Sequence, residues 1–246
     1  MKQLLTAFWM AQSMFCALPF PCRSWDEDAR GKMMLFLPVI GAEVGLFWML
    51  CRYVLTAAGI PGPLSAFLLC AAPYLVTGLI HLDGYLDVVD AIGSWREPEQ
   101  RRAILKDAHV GSFAVVGCGF LLLGHFACFA SLAPRAFCPE LLLIPVVSRC
   151  CAALAVMSLP PMATSQYSRT VYPGGYRLVL ILILLLCTGI AFALWKKAVL
   201  VPLAVMLGFS LALRRSFRLL EGMNGDIAGF SLTVGELCGL LALALL

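Results

Sequence analysis

The stretch 64-LSAFLLCAAPYLVTGLI-80 is a nearly unbroken apolar run, and it leads directly into 81-HLDGYLDVVDAIGSW-95. Apolar runs of about 18 residues are typical of transmembrane helices. The second part places three aspartates, Asp83, Asp87 and Asp90, where the hydropathy predicts a membrane boundary. Three like charges so close together need a physical reason, and the rest of the sequence supplies the setting for it.

The whole chain has the composition of a polytopic membrane protein. Its 246 residues are 61% hydrophobic and 13% charged, and the mean hydropathy is +0.92. A soluble domain is typically about half apolar and about a quarter charged. We therefore expect one all-α transmembrane domain over residues 1–246. The net charge of +4 indicates neither a nucleic acid nor an acidic partner, and the 11 scattered cysteines are predicted to be small buried hydrophobes.

About seven segments are predicted to span the membrane. They are Met33–Leu50, Leu64–Ile80, Phe113–Leu132, Leu141–Leu159, Leu178–Trp195, Val199–Leu213 and Phe230–Leu246. The N-terminal segment resembles a signal peptide, because Lys2 precedes an apolar run, but it lacks a clean small-x-small cleavage site and is closed by Pro19 and Pro21. We expect it to form an interfacial or re-entrant helix that stays in the mature protein.

The cationic residues give the predicted spans an orientation. One side of the membrane receives Arg23, Arg30, Lys32, Arg96, Arg101, Arg102, Lys106, Arg169, Arg177, Arg214, Arg215 and Arg218, and the other receives Arg52, Arg135, Lys196 and Lys197. The positive-inside rule makes the first side cytoplasmic. Loops 83–107 and 221–226 then lie on that same side, so two acidic clusters far apart in sequence are predicted to meet.

The three aspartates have the spacing of a metal cradle. Asp83, Asp87 and Asp90 stand at i, i+4 and i+7, so on a helix they project within a narrow arc. Like charges at this spacing repel, and a divalent cation removes the repulsion. Hard oxygen ligands select Mg²⁺, Ca²⁺ or Mn²⁺, and we expect Mg²⁺. The alternative interpretation is a solvated helix end.

Neighbouring residues extend the candidate site. Gly84 allows a ligand to approach the backbone closely. His81 is a candidate general base, phosphate donor or metal ligand, and the alternative is an interfacial histidine satisfied by backbone groups. Arg101, Arg102 and Lys106 have the charge to neutralise phosphates, although cationic flanks are also expected from topology alone.

Two more positions stand out farther along the chain. Arg149 falls inside a predicted span, where a cation usually faces a polar cavity, and it is predicted to bind a substrate phosphate. Asn224, Gly225 and Asp226 read as a tight turn, and the topology places Asp226 beside the first cluster. Glu236 is a carboxylate within the last span. No Walker A, GxSxG, HExxH or dinucleotide-binding motif occurs, which weighs against nucleotide or serine hydrolysis, zinc proteolysis and nicotinamide redox chemistry.

The word HLDGxxDxxD in 78-GLIHLDGYLDVVDA-91 resembles the cobalamin synthase family, the adenosylcobinamide-GDP ribazoletransferases. Further matches run in order along almost the whole chain: 19-PFP-21, 37-LPVIGAEVG-45, 106-KDAHVGSF-113, 148-SR-149 and 225-GDIAG-229 followed by Glu236. Ala91, Lys106 and His109 depart from the family pattern, which has Gly, Arg and Arg there. These departures bear on substrate details and rate more than on reaction class.

The resemblance implies a reaction and a set of roles. Adenosylcobinamide-GDP would react with α-ribazole, or its 5′-phosphate, whose 3′-hydroxyl attacks the phosphorus attached to cobinamide as GMP leaves. Mg²⁺ would bind Asp83, Asp87 and Asp90. The implied catalytic residues are His81, Asp83, Asp87 and Asp107, and the implied substrate-binding residues are Gly84, Lys106, Arg149, Asn224 and Asp226.

The expected location is the inner (cytoplasmic) membrane, among membrane lipids, with the active site facing the cytoplasm. A homo-oligomer and contacts with other enzymes of the cobalamin pathway stay open.

Two other classes of membrane protein share some of these features. A CDP-alcohol phosphatidyltransferase also uses spaced aspartates but requires DGxxAR, whereas here Asp87 is the fourth residue after Asp83. A cation transporter would place its carboxylates near the middle of spans, which here holds for Glu43 and Glu236 only. A purely structural membrane protein would leave the paired acidic clusters unexplained.

Overall fold

The chain folds into α-helices joined by short loops, as a computed structural model describes for residues 2–19, 25–132, 137–168 and 170–246. The helices are α1 (Lys2–Phe15), α2 (Arg30–Met33), α3 (Leu37–Ala57), α4 (Gly62–Val76), α5 (Ile80–Gly93), α6 (Pro98–Ile104), α7 (Ser112–Ser131), α8 (Glu140–Ser158), α9 (Gly175–Leu194), α10 (Leu200–Leu220) and α11 (Gly225–Ala244). Short 3₁₀ turns precede α2, α3 and α10. The described residues contain no β-strand, although a single bridge joins Pro161 to Met223.

Six segments in the described parts of the chain are long and apolar enough to cross a membrane, and a seventh span results if α4 and α5 count as one broken crossing. The all-α polytopic architecture predicted from composition is therefore confirmed. The α4–α5 pair is bent by 95°, and the predicted span Leu64–Ile80 runs past the end of α4 at Val76 into this bend. Predicted limits of the other spans differ from the helix ends by a few residues, or by up to seven at the C-terminal end of α3 and α10.

Helix α1 agrees with the prediction of an interfacial or re-entrant N-terminal helix. Its 14 residues extend about 21 Å, which is short of the roughly 30 Å hydrocarbon core of a bilayer. One face, with Ala7, Met10 and Ala11, is fully buried, whereas Leu4 and Leu5 are exposed. The helix therefore packs against the bundle by one face.

Small residues bring the central helices close together. Helix α8 is the most buried of the candidate spans. A β-carbon added at Gly41 would lie 2.5 Å from the Pro145 carbonyl oxygen, and one added at Gly45 would lie 2.7 Å from the Leu142 Cα. Glycines four residues apart allow two membrane helices to approach at backbone distance. The two glycines of the 37-LPVIGAEVG-45 segment therefore allow the close contact between α3 and α8.

Two of the cationic residues predicted to share one membrane side, Arg101 and Arg102, contact the C-terminal end of α10. Arg102 forms a 2.6 Å salt bridge with Glu221, and the Arg101 guanidinium donates to the Leu219 carbonyl at 3.4 Å. Arg23, Arg135 and Arg169, together with Phe20 and Pro21 of the PFP match, lie outside the described residues. The end of α6 and the end of α10 therefore meet at one face of the bundle.

Candidate active site

A sharp break between α4 and α5 creates the start of the site. Gly78 and Leu79 both have left-handed backbones, with φ of 60° and 65°. A left-handed conformation is unusual for a leucine and costs on the order of 1 kcal/mol or more. The Ala17 N–H donates to the Val76 carbonyl at 2.8 Å, which ties the end of α1 to this turn. The HLDG word therefore begins a new helix at the bend instead of ending a straight span.

Helices α5 and α11 cross at a pair of glycines. A β-carbon added at Gly84 would lie 2.9 Å from the Asp226 Cα, and one added at Gly229 would lie 3.4 Å from the His81 carbonyl oxygen. The Thr233 hydroxyl also donates to that carbonyl at 3.4 Å. From the sequence, Gly84 is predicted to let a ligand approach the backbone. In the structure, its missing side chain allows α5 to pack closely against α11. Its role in substrate binding stays a prediction.

The turn before α11 holds Asp226 in place. The Asn224 side chain caps the helix by accepting from the Ile227 N–H at 2.9 Å, as N-cap asparagines do. Its amide nitrogen donates to the Asp226 carboxylate at 2.6 Å. Asn224 thus orients the carboxylate of Asp226, which the crossing places beside α5.

Four carboxylates from the two helices interact around Asp87. This half-buried side chain interacts electrostatically with Asp83, Asp226 and Asp90. The two acidic clusters predicted to meet are therefore brought together. Among the described residues, no lysine or arginine forms a salt bridge with any of the four. The negative charge of these carboxylates therefore suits a bound cation.

Asp90 has a second role at the neighbouring helix. Its carboxylate lies against Gly111 and accepts from the Ala114 N–H at 3.4 Å. A carboxylate at the N-terminus of α7 interacts favourably with the helix dipole. Asp90 therefore fixes the start of α7 in addition to facing Asp87, and its assignment as a metal ligand stays a prediction.

The donor set suits Mg²⁺ better than a metal that needs a complete protein cage. In the described parts of the chain, no three His, Cys, Asp or Glu side chains form a preformed metal site. Mg²⁺ usually keeps several waters and uses one or two carboxylates together with substrate phosphates. Asp83 and Asp87, with Asp226 from α11, provide such hard and uncompensated oxygens.

Asp107 lies apart from the crossing. It is exposed, accepts from the His109 backbone N–H at 3.0 Å and contacts the His109 Nδ1 at 2.7 Å. The side-chain hydrogen bond with His109 lowers the pKa of the Asp107 carboxyl. Asp107 and Asp90 line one cavity of about 300 Å³. Lys106, the residue before Asp107, is also exposed, and its predicted contact with a substrate phosphate stays a prediction.

His81 opens onto a different cavity, about 100 Å³ in volume, which it shares with Asp226. Its ring stacks on Phe15 of α1 with centroids 6.2 Å apart. The buried Nε2 has no hydrogen-bond partner among the described residues. The interpretation of His81 as a backbone-satisfied interfacial residue therefore does not account for this nitrogen.

Sequence reasoning missed most of the walls of that cavity. Its apolar lining includes Met14, Phe15, Ala152 and Val156, with Tyr167 from the loop before α9. That loop is held over α11 because the Met162 N–H donates to the Met223 carbonyl at 2.9 Å. No local pattern distinguishes these side chains from ordinary core residues, so only the fold could identify them.

The two mid-span carboxylates are each paired inside the bundle. Glu43 accepts a hydrogen bond from the buried Gln12 amide. Glu236 accepts from Arg149 at 2.5 Å and from the Ser148 hydroxyl at 2.9 Å. Arg149 of α8 is only 2% exposed, and its guanidinium group is paired with Glu236 of α11. Its predicted substrate contact is not tested by this geometry, but its ion pair explains the charge.

We expect Glu236→Gln to destabilise the bundle by about 3–5 kcal/mol, because it leaves the buried Arg149 charge unpaired. The measurement is the midpoint of unfolding on titration of a denaturing detergent. The double variant Arg149→Met with Glu236→Leu is the control, since removing both charges is often close to neutral. Equal stability of Glu236→Gln and wild type would contradict the ion pair.

Comparisons with known proteins agree with the sequence match. The family model for cobalamin-5-phosphate synthase matches residues 7–244. An adenosylcobinamide-GDP ribazoletransferase of Clostridium botulinum is 34% identical over 250 residues, covering 100% of this chain and 99% of its own length. The enzyme of the same name from Pseudomonas putida is 34% identical, over 97% of this chain and 98% of its own length. The one from Lachnoclostridium phytofermentans is 30% identical, over 98% of this chain and 94% of its own length. No solved structure matches. The chain belongs to the cobalamin-5-phosphate synthase family.

Proposed function

We propose that this protein joins adenosylcobinamide-GDP to α-ribazole, or to its 5′-phosphate, and releases GMP. Its full-length relatives carry the name of this activity. The observation that carries the proposal is the α5–α11 crossing, which gathers three carboxylates around that of Asp87, beside two cavities. These relatives cover almost the whole chain, which favours this reaction over the two alternative classes.

The bonds exchanged define what the site must do. The ribazole 3′-oxygen forms a bond to the phosphorus attached to cobinamide, and the bridging P–O bond to GMP breaks. The hydroxyl proton must pass to a base, and the departing phosphate gains negative charge. A divalent cation held by the carboxylates would supply charge stabilisation on the pyrophosphate.

The chain's own residues divide these tasks by position. Asp83 and Asp87 would hold the cation, with Asp90 or Asp226 completing the set. His81 and Asp226 line the same cavity, so either can accept the hydroxyl proton there, whereas Asp107 lies with Asp90 at the other cavity. The geometry favours His81 or Asp226 over Asp107 as the base, because a base must be within hydrogen-bond reach of its proton.

The cavity beside His81 suits the apolar base of the ribazole acceptor. Its walls include methionine, aromatic and small aliphatic side chains, and His81, Asp226 and Gln166 supply polar groups. A flat heteroaromatic base fits such walls by stacking and by displacement of flexible methionines. The corrin ring is far too large for about 100 Å³.

We also propose that the protein lies in the inner membrane and that its active site faces the cytoplasm. The support is the collection of arginines at the α6 and α10 end of the bundle, which the positive-inside rule assigns to the cytoplasm. The GDP-linked substrate is a cytoplasmic kind of molecule, which agrees with that orientation.

Turnover is expected to require a divalent cation. Purified protein in liposomes would be given both substrates with Mg²⁺, and GMP and the corrinoid product would be followed by chromatography. EDTA should reduce GMP release to background, and excess Mg²⁺ should restore it, because the carboxylate cluster loses its counter-charge. Full turnover in EDTA would contradict the metal assignment, and no product from folded protein under any condition would contradict the reaction.

Narrowing the cavity should select against larger acceptor bases. We expect Ala152→Leu to raise the KM for α-ribazole by about 10-fold and to leave the KM for adenosylcobinamide-GDP nearly unchanged. Steady-state kinetics with ribosides of benzimidazole and dimethylbenzimidazole provide the internal control, since the smaller base should lose less. An equal loss for both bases would place the acceptor elsewhere.

A further inference from the structure

A cationic groove lies at the end of α10, and its lining carries no carboxylate. The groove has a volume of about 510 Å³ and is lined by Arg101, Arg214, Arg215 and Arg218, together with Trp95 and Leu211. Its lining shares no residue with the cavities that hold Asp90, Asp107, His81 and Asp226. The proposed reaction therefore leaves this groove without a role.

The chemistry of the groove indicates an anionic ligand. Arg214, Arg215 and Arg218 are exposed, and none of them forms a salt bridge with a described residue. The Arg101 Nε is buried and has no hydrogen-bond partner among the described residues. Guanidinium groups collected in this way bind phosphate by charge-assisted hydrogen bonds.

The surface leading into the groove indicates where that phosphate comes from. Along α10, Leu200, Leu203, Leu207 and Leu211 are 45–61% exposed. Their spacing places them on one helix face, and Arg214 and Arg218 continue the same face. The leucines extend over about 17 Å, close to the roughly 15 Å hydrocarbon depth of one leaflet. Acyl chains along the leucines would thus bring a headgroup phosphate to the arginines.

We propose that this groove binds the headgroup of an anionic phospholipid at the same membrane face as the active site. Basic pockets at the cytoplasmic membrane surface recognise such headgroups, and the 79% exposed Trp95 suits the interfacial level. The bound lipid would contact Trp95, which follows the end of α5, Arg101 of α6 and the arginines of α10. It would thereby hold α5, which carries the aspartate cluster, against the bundle. The binding itself does not depend on the proposed reaction.

Quenching of tryptophan fluorescence by brominated lipids tests the proposal directly. The full-length protein would be placed in nanodiscs with brominated phosphatidylglycerol or brominated phosphatidylcholine, and Trp95→Phe would identify the signal of Trp95. We expect stronger quenching of Trp95 by the anionic lipid. The preference should fall about fivefold for Arg215→Gln and about 100-fold for the triple variant R214Q/R215Q/R218Q.

A matched control lies at the opposite end of α10. The variant K196Q/K197Q removes two cations from the other membrane face and should keep the full lipid preference. Equal quenching by both lipids, or a preference that survives in Arg215→Gln and the triple variant, would overturn the proposal. Displacement of the quenching lipid by inorganic phosphate or GDP would also overturn it, since the groove would then bind a soluble phosphate. If the triple variant fails to fold, Arg215→Gln and the salt dependence of quenching decide the matter.

Discussion

Asp87→Asn is expected to lower turnover by about 1,000-fold without weakening the fold. Asp87 interacts electrostatically with Asp83, Asp226 and Asp90, so its loss removes a central ligand of the proposed cation site. Asparagine keeps the shape of the side chain and removes one like charge from a repelling group. Stability without Mg²⁺ should therefore be equal or higher, although activity is lost.

Thermal unfolding with and without Mg²⁺ separates this explanation from simple damage. Wild type should gain stability on addition of Mg²⁺, because a ligand that binds only the folded state stabilises it. The gain should be much smaller for Asp87→Asn and Asp83→Asn. Asp28→Asn is the matched control, as Asp28 is exposed in the turn before α2 and should change neither activity nor the Mg²⁺ response. Near-normal turnover of Asp87→Asn would remove the carboxylate cluster from the mechanism.

The helices and the proximity of the two acidic clusters could be predicted from the sequence, and each prediction has a physical basis. Hydropathy marks lipid-facing helices because each residue contributes its own transfer free energy. The spacing of Asp83 and Asp87 marks a helix face because the helical period is fixed. Asp226 could be placed on the same membrane side as these aspartates because successive spans alternate in direction, and the distribution of arginines agreed with that alternation.

Features that depend on pairing between distant segments could not be predicted. Arg149 and Glu236 each stand out as a buried charge, but their partnership joins positions 87 residues apart. The break at Gly78 and Leu79 lies in an apolar run with no hydropathy signal, since backbone handedness does not change side-chain polarity. Tyr167 reaches the cavity through a loop whose position is set by contacts with Met223.

Gly84→Ala is expected to damage the active site through packing alone. The added β-carbon would lie 2.9 Å from the Asp226 Cα and 3.2 Å from its carbonyl oxygen, so α5 and α11 must move apart. Overpacking of this kind costs about 1–3 kcal/mol. Because the crossing also sets the spacing of Asp83 and Asp87 to Asp226, turnover should fall by about 100-fold, the loss expected for a displacement of about 1 Å.

Other helical glycines of the chain provide a graded set of controls. Gly119→Ala and Gly189→Ala place a β-carbon where nothing lies within 4 Å, so they should be neutral or slightly stabilising. Gly229→Ala, with its nearest contacts at 3.4–3.5 Å, should have a small effect. Turnover, Mg²⁺ response and unfolding midpoint would be measured for all four variants. If Gly84→Ala behaved like Gly119→Ala, the two helices would not be in backbone contact, and the carboxylates of α5 and α11 could not form one site.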